Sequence, residues 1–265
     1  MDRRGWSKVS AKSGGPLNLG GKSELRERVV IASLILVSYV AGYFPIGWTT
    51  DPESARSLST SLDARIPFVP ETVFLYVWVY TAMVFPLFVV RSPALFRRVG
   101  LAYAIVIAAS LATFAAYPVG AVDLRPDVSV LDASRFAEWT VRLVYTLDPP
   151  FNLFPSIHVA VATLAALSAW KARPVYGAIG VAGVLLIAVS VSTLKQHFLV
   201  DSVAGVGLAT AVYAAIIRPY GPVPVEESAY GWRGPLLYLV FHGLAYATAY
   251  AVFRTGWLAG ADAAG

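Results

Sequence analysis

The feature that most constrains the fold of this chain is a series of long apolar segments separated by short polar stretches. A helix needs roughly 20 apolar residues to cross the hydrocarbon core of a bilayer. Most of the segments approach that length, although the fourth is cut short by Lys171. We place them at about 29–47, 72–90, 99–118, 155–170, 175–194, 199–217 and 235–253. The pattern predicts an all-α protein, a polytopic transmembrane helix bundle with six to seven spans.

Charge content agrees with a membrane protein. Only 14% of the 265 residues are charged and 57% are hydrophobic, whereas soluble domains carry about 25% charged residues. The net charge of +5 comes from basic residues that punctuate apolar segments, so we expect a membrane and no nucleic acid as partner. The sequence has no cysteine, which excludes disulfides and thiolate chemistry.

The chain divides into three parts. Residues 1–28 are polar, basic and rich in Gly and Ser, which predicts a flexible cytoplasmic tail. We expect residues 29–258 to form one transmembrane domain and 259–265 a short C-terminal tail. No cleavable signal is evident, because the first apolar run starts late and no small-residue cleavage site follows it.

The distribution of basic residues predicts an orientation. In a seven-span arrangement, the side that holds the N-terminus carries 14 of the 21 Lys and Arg residues. The other side carries 7 of them and 11 of the 16 acidic residues. The positive-inside rule then places the N-terminus in the cytoplasm. The loop after the third span and the starts of the fourth and sixth spans fall on the extracytoplasmic side, and a six-span arrangement would move only the C-terminus.

Two of the three histidines lie at the edges of apolar segments. His158 ends the run Phe154-Pro155-Ser156-Ile157-His158, and His197 begins His197-Phe198-Leu199-Val200-Asp201. Imidazole is suited to moving protons or accepting a phosphoryl group near neutral pH. On a helix, His197 and Asp201 share one face, so the carboxylate can fix the tautomer of the ring. A plain polar turn explains less well why a His and an Asp enter an apolar helix start, where a buried ion needs a partner.

Other polar residues near these positions suit an anion. Ser156 precedes a helix start, where free backbone N–H groups bind phosphate, although Pro and Ser are also ordinary at such junctions. The planar fork of Arg125, in the loop after the third span, fits phosphate oxygens, or the residue simply belongs to an interfacial loop. Pro67 and Pro70 precede the second span as a loop, or as an interfacial segment that contacts a lipid. His242 lacks a motif, so we expect a packed, hydrogen-bonded histidine, and no metal-ligand spacing is present.

At these residues the chain resembles the type 2 phosphatidic-acid phosphatase superfamily. The signature of that family is Lys, six residues and Arg-Pro; then Pro-Ser-Gly-His; then Ser-Arg, five residues, His, three residues and Asp. Arg125-Pro126 matches the end of the first part, and Pro155, Ser156 and His158 match the second. The third part is matched by Ser190, His197 and Asp201, and the resemblance covers about residues 60–217.

The chain departs from the signature at three positions. Ile157 stands where Gly is usual, Pro118 where the first Lys is expected, and Val191 where Arg follows the serine. Lys195 is a candidate replacement cation. The Ile-Pro-Phe-Val-Pro segment and the Gln-His-Phe-Leu-Val-Asp turn are more similar to the branch that contains inositol phosphorylceramide synthases and related bacterial proteins. That branch includes transferases of lipid headgroups, so water is not the only acceptor to consider.

The resemblance implies a mechanism without a metal or other cofactor. His197 attacks phosphorus and becomes phosphohistidine, Asp201 orients His197, and His158 protonates the leaving oxygen and then deprotonates the acceptor. The phosphoryl oxygens are held by Arg125, Ser156, Ser190 and Lys195. The substrate is a lipid phosphate or phospholipid, and the expected location is a bacterial plasma membrane with the site on its extracytoplasmic side.

Three interpretations of the function remain from the sequence. The first is a lipid phosphate phosphatase, and the second is a lipid phosphotransferase that exchanges a headgroup. They differ only in the acceptor, which the His, Asp and Arg residues do not encode. The third is a non-enzymatic membrane transporter, which would be favoured if the histidines lay far apart in space. Transporters often contain internal repeats, and we find none that is convincing.

Overall fold

The structure is a computed structural model that describes residues 22–121, 124–221 and 229–257. Within these ranges the backbone forms helices and three isolated bridges, with no strand, which confirms the predicted all-α fold. Five helices of the described part are long and apolar enough to cross a membrane, and a shorter apolar helix accompanies them. We number the helices α1 Lys22–Thr49, α2 Ser61–Arg65, α3 Val73–Tyr76, α4 Trp78–Ala82, α5 Phe85–Val89, α6 Pro93–Ala116, α7 Phe136–Leu147, α8 Ile157–Ala172, α9 Pro174–Thr193, α10 Leu199–Val212, extended by a π turn at Tyr213–Ile217, and α11 Arg233–Phe253.

The predicted second span, 72–90, is not one continuous helix. The chain there forms α3, α4 and α5 in succession. Pro86 lies at the start of α5, and its ring has no N–H and clashes with the carbonyl four residues earlier, so a helix cannot continue through it. α11 packs against α5, and α7 packs against α3.

The first helix begins earlier than predicted. α1 starts at Lys22, so residues 22–28 of the predicted tail are helical, while 1–21 and the predicted C-terminal tail 259–265 lie outside the described residues. The physical reason is Arg28, which is buried. Its guanidinium donates to the carbonyls of Val90 and Arg91 and lies over the ring of Phe96. A charged side chain held in this way fixes the first turns of α1 against the bundle.

The connections between helices gather at two ends of the bundle. At the end where α1 begins, Lys171 donates to the Arg218 carbonyl at 3.2 Å, and the Tyr176 hydroxyl donates to the Tyr230 carbonyl at 3.0 Å. At the opposite end, the Tyr145 hydroxyl donates to the Leu194 carbonyl at 2.6 Å. The apolar segments therefore alternate in direction, and this fits an integral membrane protein.

The core of the bundle is α8. It packs against α9 and α10, and also against α6, α4 and α5, so nearly all of its side chains are buried. Small residues allow this close approach. A Cβ atom on Gly205 of α10 would lie 2.5 Å from the Ser156 carbonyl oxygen, and the Ser156 N–H donates to the Asp201 carbonyl at 2.9 Å. The start of α10 is therefore fixed directly against the start of α8.

Candidate active site

The two helix starts bring both predicted catalytic histidines together. His158 lies in the first turn of α8, and His197 lies in the turn that leads into α10. Nδ1 of His158 is 3.2 Å from Nε2 of His197, and both rings are 3% exposed. Nδ1 of His197 is 3.5 Å from Oδ2 of Asp201, which is fully buried. The three residues form a continuous polar chain inside an apolar bundle.

The relation between His197 and Asp201 differs in one respect from the expectation. The two residues were expected on one helix face, whereas His197 precedes α10, which begins at Leu199. Asp201 lies in the first turn of α10, and its Oδ2 accepts from the Phe198 N–H at 2.9 Å. A carboxylate in the first turn of a helix can accept from a backbone N–H that has no partner within the helix. Asp201 therefore stabilises the start of α10 and also faces the ring of His197.

The turn that carries His197 is held by its own backbone and by the α2 segment. The Val191 carbonyl accepts from the N–H groups of both Gln196 (2.9 Å) and His197 (3.1 Å). Lys195 has a φ of 54°, a left-handed conformation that is uncommon for a residue with a side chain. Its ammonium donates to the carbonyls of Asp63 at 3.0 Å and Ile66 at 2.5 Å. These bonds stabilise the tight turn.

Asp63 binds the same turn from the other direction. Its Oδ1 accepts from the Leu199 N–H at 2.8 Å, and its Oδ2 accepts from the Thr60 N–H at 2.8 Å. Burial opposes ionisation of Asp63, but the hydrogen bonds from the Thr60 side chain and from backbone N–H groups outweigh it, so its pKa lies below the ordinary value. The α2 segment therefore acts as a clamp on the start of α10.

The predicted serine ligands are both buried and already hydrogen bonded. Ser156 is the N-cap of α8, where its Oγ accepts from the Val159 N–H at 3.3 Å. Ser190 Oγ donates to the Ile187 carbonyl at 2.7 Å. Lys195 is directed to the α2 segment. Phosphate binding by these three residues stays a prediction, and for Ser190 and Lys195 it requires the exchange of an existing hydrogen bond.

Arg125 lies beside the turn that carries His197, and one of its guanidinium nitrogens has no hydrogen-bond partner. One guanidinium nitrogen donates to the Asp148 carbonyl at 2.9 Å and another to Gln196 Oε1, while the guanidinium carbon lies 4.9 Å over the ring of Tyr145. Within the described residues, Nε of Arg125 and Nε2 of Gln196 are buried without a hydrogen-bond partner. A buried donor without an acceptor costs about 1–3 kcal/mol. Both donors are therefore free to bind an acceptor, and phosphate binding by Arg125 stays a prediction.

Asp148, which ends α7 and is 5% exposed, was not among the site residues predicted from the sequence. Its Oδ2 accepts from the Tyr76 hydroxyl at 2.6 Å and its Oδ1 from the Tyr43 hydroxyl. Oδ2 is also 3.9 Å from Nε2 of His158. Burial opposes ionisation of Asp148, but His158, Arg125 and the two tyrosine hydrogen bonds outweigh it, so its pKa lies below the ordinary value. The only signal in the sequence is an acidic residue between an amphipathic stretch and two prolines.

The remaining histidine is structural, as predicted. Nδ1 of His242 is 2.7 Å from the Thr81 hydroxyl, and its ring stacks on Tyr238 and meets Tyr246 edge-on. In the described part of the chain, no group of three His, Cys, Asp or Glu side chains is arranged to hold a metal ion.

The chain matches a known protein family. A family model described as the PAP2 superfamily matches residues 57–215, a range that includes both histidines, Asp201, Arg125 and Asp148. No curated protein and no solved structure shows significant similarity to the chain. Because the match covers more than half of the sequence, the chain belongs to the PAP2 superfamily, whose members are generally phosphatases or phosphotransferases.

Proposed function

We propose that this protein is an integral membrane lipid phosphate phosphatase that cleaves a phosphoester through a phosphohistidine intermediate. The observation that carries the proposal is the pair of buried imidazoles, with Nδ1 of His158 3.2 Å from Nε2 of His197 and a carboxylate on the far side of His197. A transporter would be favoured by histidines that lie far apart, and these two lie within hydrogen-bond distance of each other. Their proximity therefore favours an enzyme.

In the first step His197 is the nucleophile. Oδ2 of Asp201 lies 3.5 Å from Nδ1 of His197 and favours a proton on that nitrogen, which leaves the lone pair of Nε2 facing His158. The two rings move apart when the phosphoryl group enters between them. Nε2 bonds to phosphorus as the bond from phosphorus to the leaving oxygen breaks. His158 donates the proton on Nδ1 to that oxygen, and the product leaves as an alcohol.

In the second step His158 reverses its role. Its Nδ1 accepts a proton from water, the oxygen of the water attacks phosphorus, and the bond between phosphorus and His197 breaks. Inorganic phosphate leaves, and both imidazoles return to their starting protonation states. An alcohol in place of water gives a new phosphoester by the same proton transfers, which is the phosphotransferase alternative.

Charge stabilisation comes from the donors next to His197. Arg125 and Gln196 each have a buried nitrogen without a protein partner, and both lie on the side of the His197 turn. In phosphoryl transfer, negative charge spreads over the equatorial oxygens, so donors already in place stabilise the transition state. Ser156, Ser190 and Lys195 are further candidates for the same role.

An apolar path next to His158 supports a lipid substrate. A small cavity of about 20 Å³ is lined by His158, Tyr80 and Met83. A cavity of about 300 Å³ shares Tyr80 and Met83 with it and continues between α1 and α6 as far as Ala32. Along α1, the distance from Tyr43 to Ala32 is roughly 16 Å at 1.5 Å per residue. We propose that a lipid tail lies in this path while its phosphate reaches the histidines.

The orientation and domain boundaries are part of the same proposal. Arg97, Lys171 and Arg218 lie at the end of the bundle where α1 begins, and the histidines lie near the other end. With the positive-inside rule, the active site of the transmembrane domain, 29–258, faces the extracytoplasmic side. Because the chain has no cysteine, Asp132→Cys should react with an impermeant thiol reagent in intact cells and Gly221→Cys only after lysis. The opposite labelling pattern would reverse the orientation.

The activity is tested with purified protein and a panel of lipid phosphates and phospholipids, with and without alcohol acceptors, with products identified by mass. Release of inorganic phosphate supports the phosphatase. Transfer to an alcohol in preference to water supports the phosphotransferase and the branch that resembles inositol phosphorylceramide synthases. If no phosphoester is cleaved under any condition, the proposed function is wrong.

A further inference from the structure

The ring of His158 has two nitrogens with different surroundings. Nδ1 faces His197 at 3.2 Å. Nε2 has different neighbours, the Tyr76 hydroxyl at 3.3 Å and Oδ2 of Asp148 at 3.9 Å. Only Nδ1 gives and takes a proton in the two proposed steps. The groups at Nε2 take no part in those proton transfers.

The hydrogen bonds at Nε2 run in one direction. An ionised carboxylate can only accept, so Tyr76 donates its single O–H proton to Asp148, at 2.6 Å. The lone pairs of the Tyr76 oxygen are then free to accept a hydrogen bond, and the donor at 3.3 Å is the Nε2–H of His158. Asp148 thus fixes a proton on Nε2, through Tyr76, in both charge states of the ring. The atom that gains and loses a proton during turnover is therefore Nδ1.

We propose that Asp148 is a positioning residue for His158, holding it through Tyr76 with Nε2 protonated and favouring its protonated, acid form. Each catalytic histidine then has its own buried carboxylate, Asp201 for His197 and Asp148 for His158. The proposal rests on the proposed function in taking His158 as the proton donor. Asp148 does not touch the reacting atoms.

The groups around His158 define what loss of the carboxylate should do. The imidazole lies near Asp148 and contacts the rings of three tyrosines, Tyr43, Tyr76 and Tyr80. The positive charges near it are His197, when protonated, and Arg125. Asp148 is the nearest negative charge in the described residues. With it neutralised, Asp201 is the remaining carboxylate nearby, on the far side of His197, so protonation of His158 should become harder.

A purely structural role for Asp148 is the competing explanation. The carboxylate connects Tyr43 of α1 to Tyr76 of α3 at the end of α7, and such a tie contributes to stability whatever the chemistry. The two tyrosines separate the explanations. Both donate to the same carboxylate, but only Tyr76 is also within hydrogen-bond distance of His158. Tyr43→Phe is therefore the matched control for Tyr76→Phe.

The first test compares wild type, Asp148→Asn, Tyr76→Phe and Tyr43→Phe in detergent, with folding checked by thermal melting. We measure the pH dependence of kcat/KM on an alkyl lipid phosphate and on an aryl phosphate, whose leaving group needs little protonation. Asp148→Asn should lose about tenfold to a hundredfold on the alkyl substrate and much less on the aryl one. The alkaline limb of the profile should move down by about one pH unit. Tyr76→Phe should move it in the same direction, and Tyr43→Phe should leave it in place.

The second test needs no turnover, so it separates this proposal from the proposed function. With only three histidines in the chain, the imidazole of His158 can be titrated by NMR in protein labelled with ¹⁵N-histidine and assigned with His158→Ala. The titration of His158 should move to lower pH in Asp148→Asn and in Tyr76→Phe. An unmoved titration, together with equal losses on both substrates, would make Asp148 a structural tie only. If Asp148→Asn does not fold, a shift in Tyr76→Phe alone supports the proposal, and a shift in neither or in both tyrosine variants overturns it.

Discussion

Nδ1 of His158 lies 3.2 Å from Nε2 of His197, although 39 residues separate them in the chain. The contact depends on α10 meeting the start of α8 at Gly205, where no side chain intervenes. Both the chemistry and the stability of the bundle should respond to changes at this junction.

Gly205→Ala should impair turnover although it lies away from the phosphate. The added Cβ would lie 2.5 Å from the Ser156 carbonyl oxygen, so α10 must move away from α8 and separate the histidines. Overpacking of this kind costs about 1–3 kcal/mol, and a misplacement of 1 Å at an active site can cost about a hundredfold in rate. The measurement is kcat/KM with the melting temperature.

Gly207→Ala is the control for that variant, because in the described structure no atom lies within 4 Å of a Cβ added at Gly207. It should match wild type in both measurements. If Gly205→Ala also matches wild type, the close approach of the two helices is not what sets the distance between the histidines.

Arg125→Lys should be clearly impaired and Arg125→Ala more so. Lysine keeps the charge but loses the planar fork, and loss of a hydrogen bond to a charged group costs about 1.5–3 kcal/mol, or roughly one to two decades in kcat/KM. Arg135→Ala is the control, because Arg135 is a solvent-exposed residue of the same loop, paired with Glu71 and Glu138.

Lys195→Met distinguishes the two candidate cations. Because its ammonium is bound to the Asp63 and Ile66 carbonyls, we expect a lower melting temperature and a smaller kinetic loss than in Arg125→Ala. If Arg125→Ala stays within about twofold of wild type and Lys195→Met does not, Lys195 is the phosphate cation and Arg125 only part of a connecting loop.

The clamp at Asp63 should give a pH-dependent contribution to stability. Its folded-state pKa lies below the ordinary value of 3.8, so the ionised form stabilises the fold above that value. The contribution is lost as the pH falls through the lowered pKa. Asp63→Asn should therefore melt at a lower temperature than wild type at pH 7, and the gap should narrow as the pH falls below 3.8. If the difference in melting temperature is the same at every pH, the charge of Asp63 is not involved. Asp51→Asn, at an exposed position, is the control and should melt close to wild type at every pH.

Met83→Trp tests the proposed path for the lipid tail. Met83 lines both the small cavity at His158 and the larger cavity between α1 and α6, so a larger side chain should close the connection. We expect kcat/KM to fall by about tenfold or more for long-chain lipid phosphates and to change little for a short-chain phosphate. Leu244→Trp, on the exposed face of α11, is the matched control. Equal effects on long and short chains would place the tail elsewhere.

Hydropathy predicted most of the fold because the bilayer imposes a fixed length on each apolar segment. It could not predict the break at Pro86, since the segment stays apolar across it and only the missing N–H of proline interrupts the helix. It also placed the start of α1 too late, because the buried Arg28 was counted as part of a polar tail although its partners are carbonyls of another segment.

For the site, the resemblance to the family grouped His158 with His197 and Asp201, and the structure brings these residues together because each lies at or next to a helix start. The role of Asp148 could not be predicted from the sequence, because its partners Tyr43, Tyr76 and His158 lie on three other helices and share no local pattern with it. The binding of Lys195 to the α2 segment was missed for the same reason. Contacts between segments distant in the sequence are set by packing, which no single segment encodes.

The central claim, that His197 forms a covalent intermediate, is tested most directly by trapping it. Protein is mixed with a lipid phosphate labelled in its phosphoryl group, denatured in alkali within the first turnovers and digested for mass spectrometry. We expect a phosphoryl group on a ring nitrogen of His197 in the wild-type protein. His197→Ala should fold, but it should have no turnover and carry no label at position 197. Steady turnover by His197→Ala, or a phosphoryl group trapped on another residue, would contradict it.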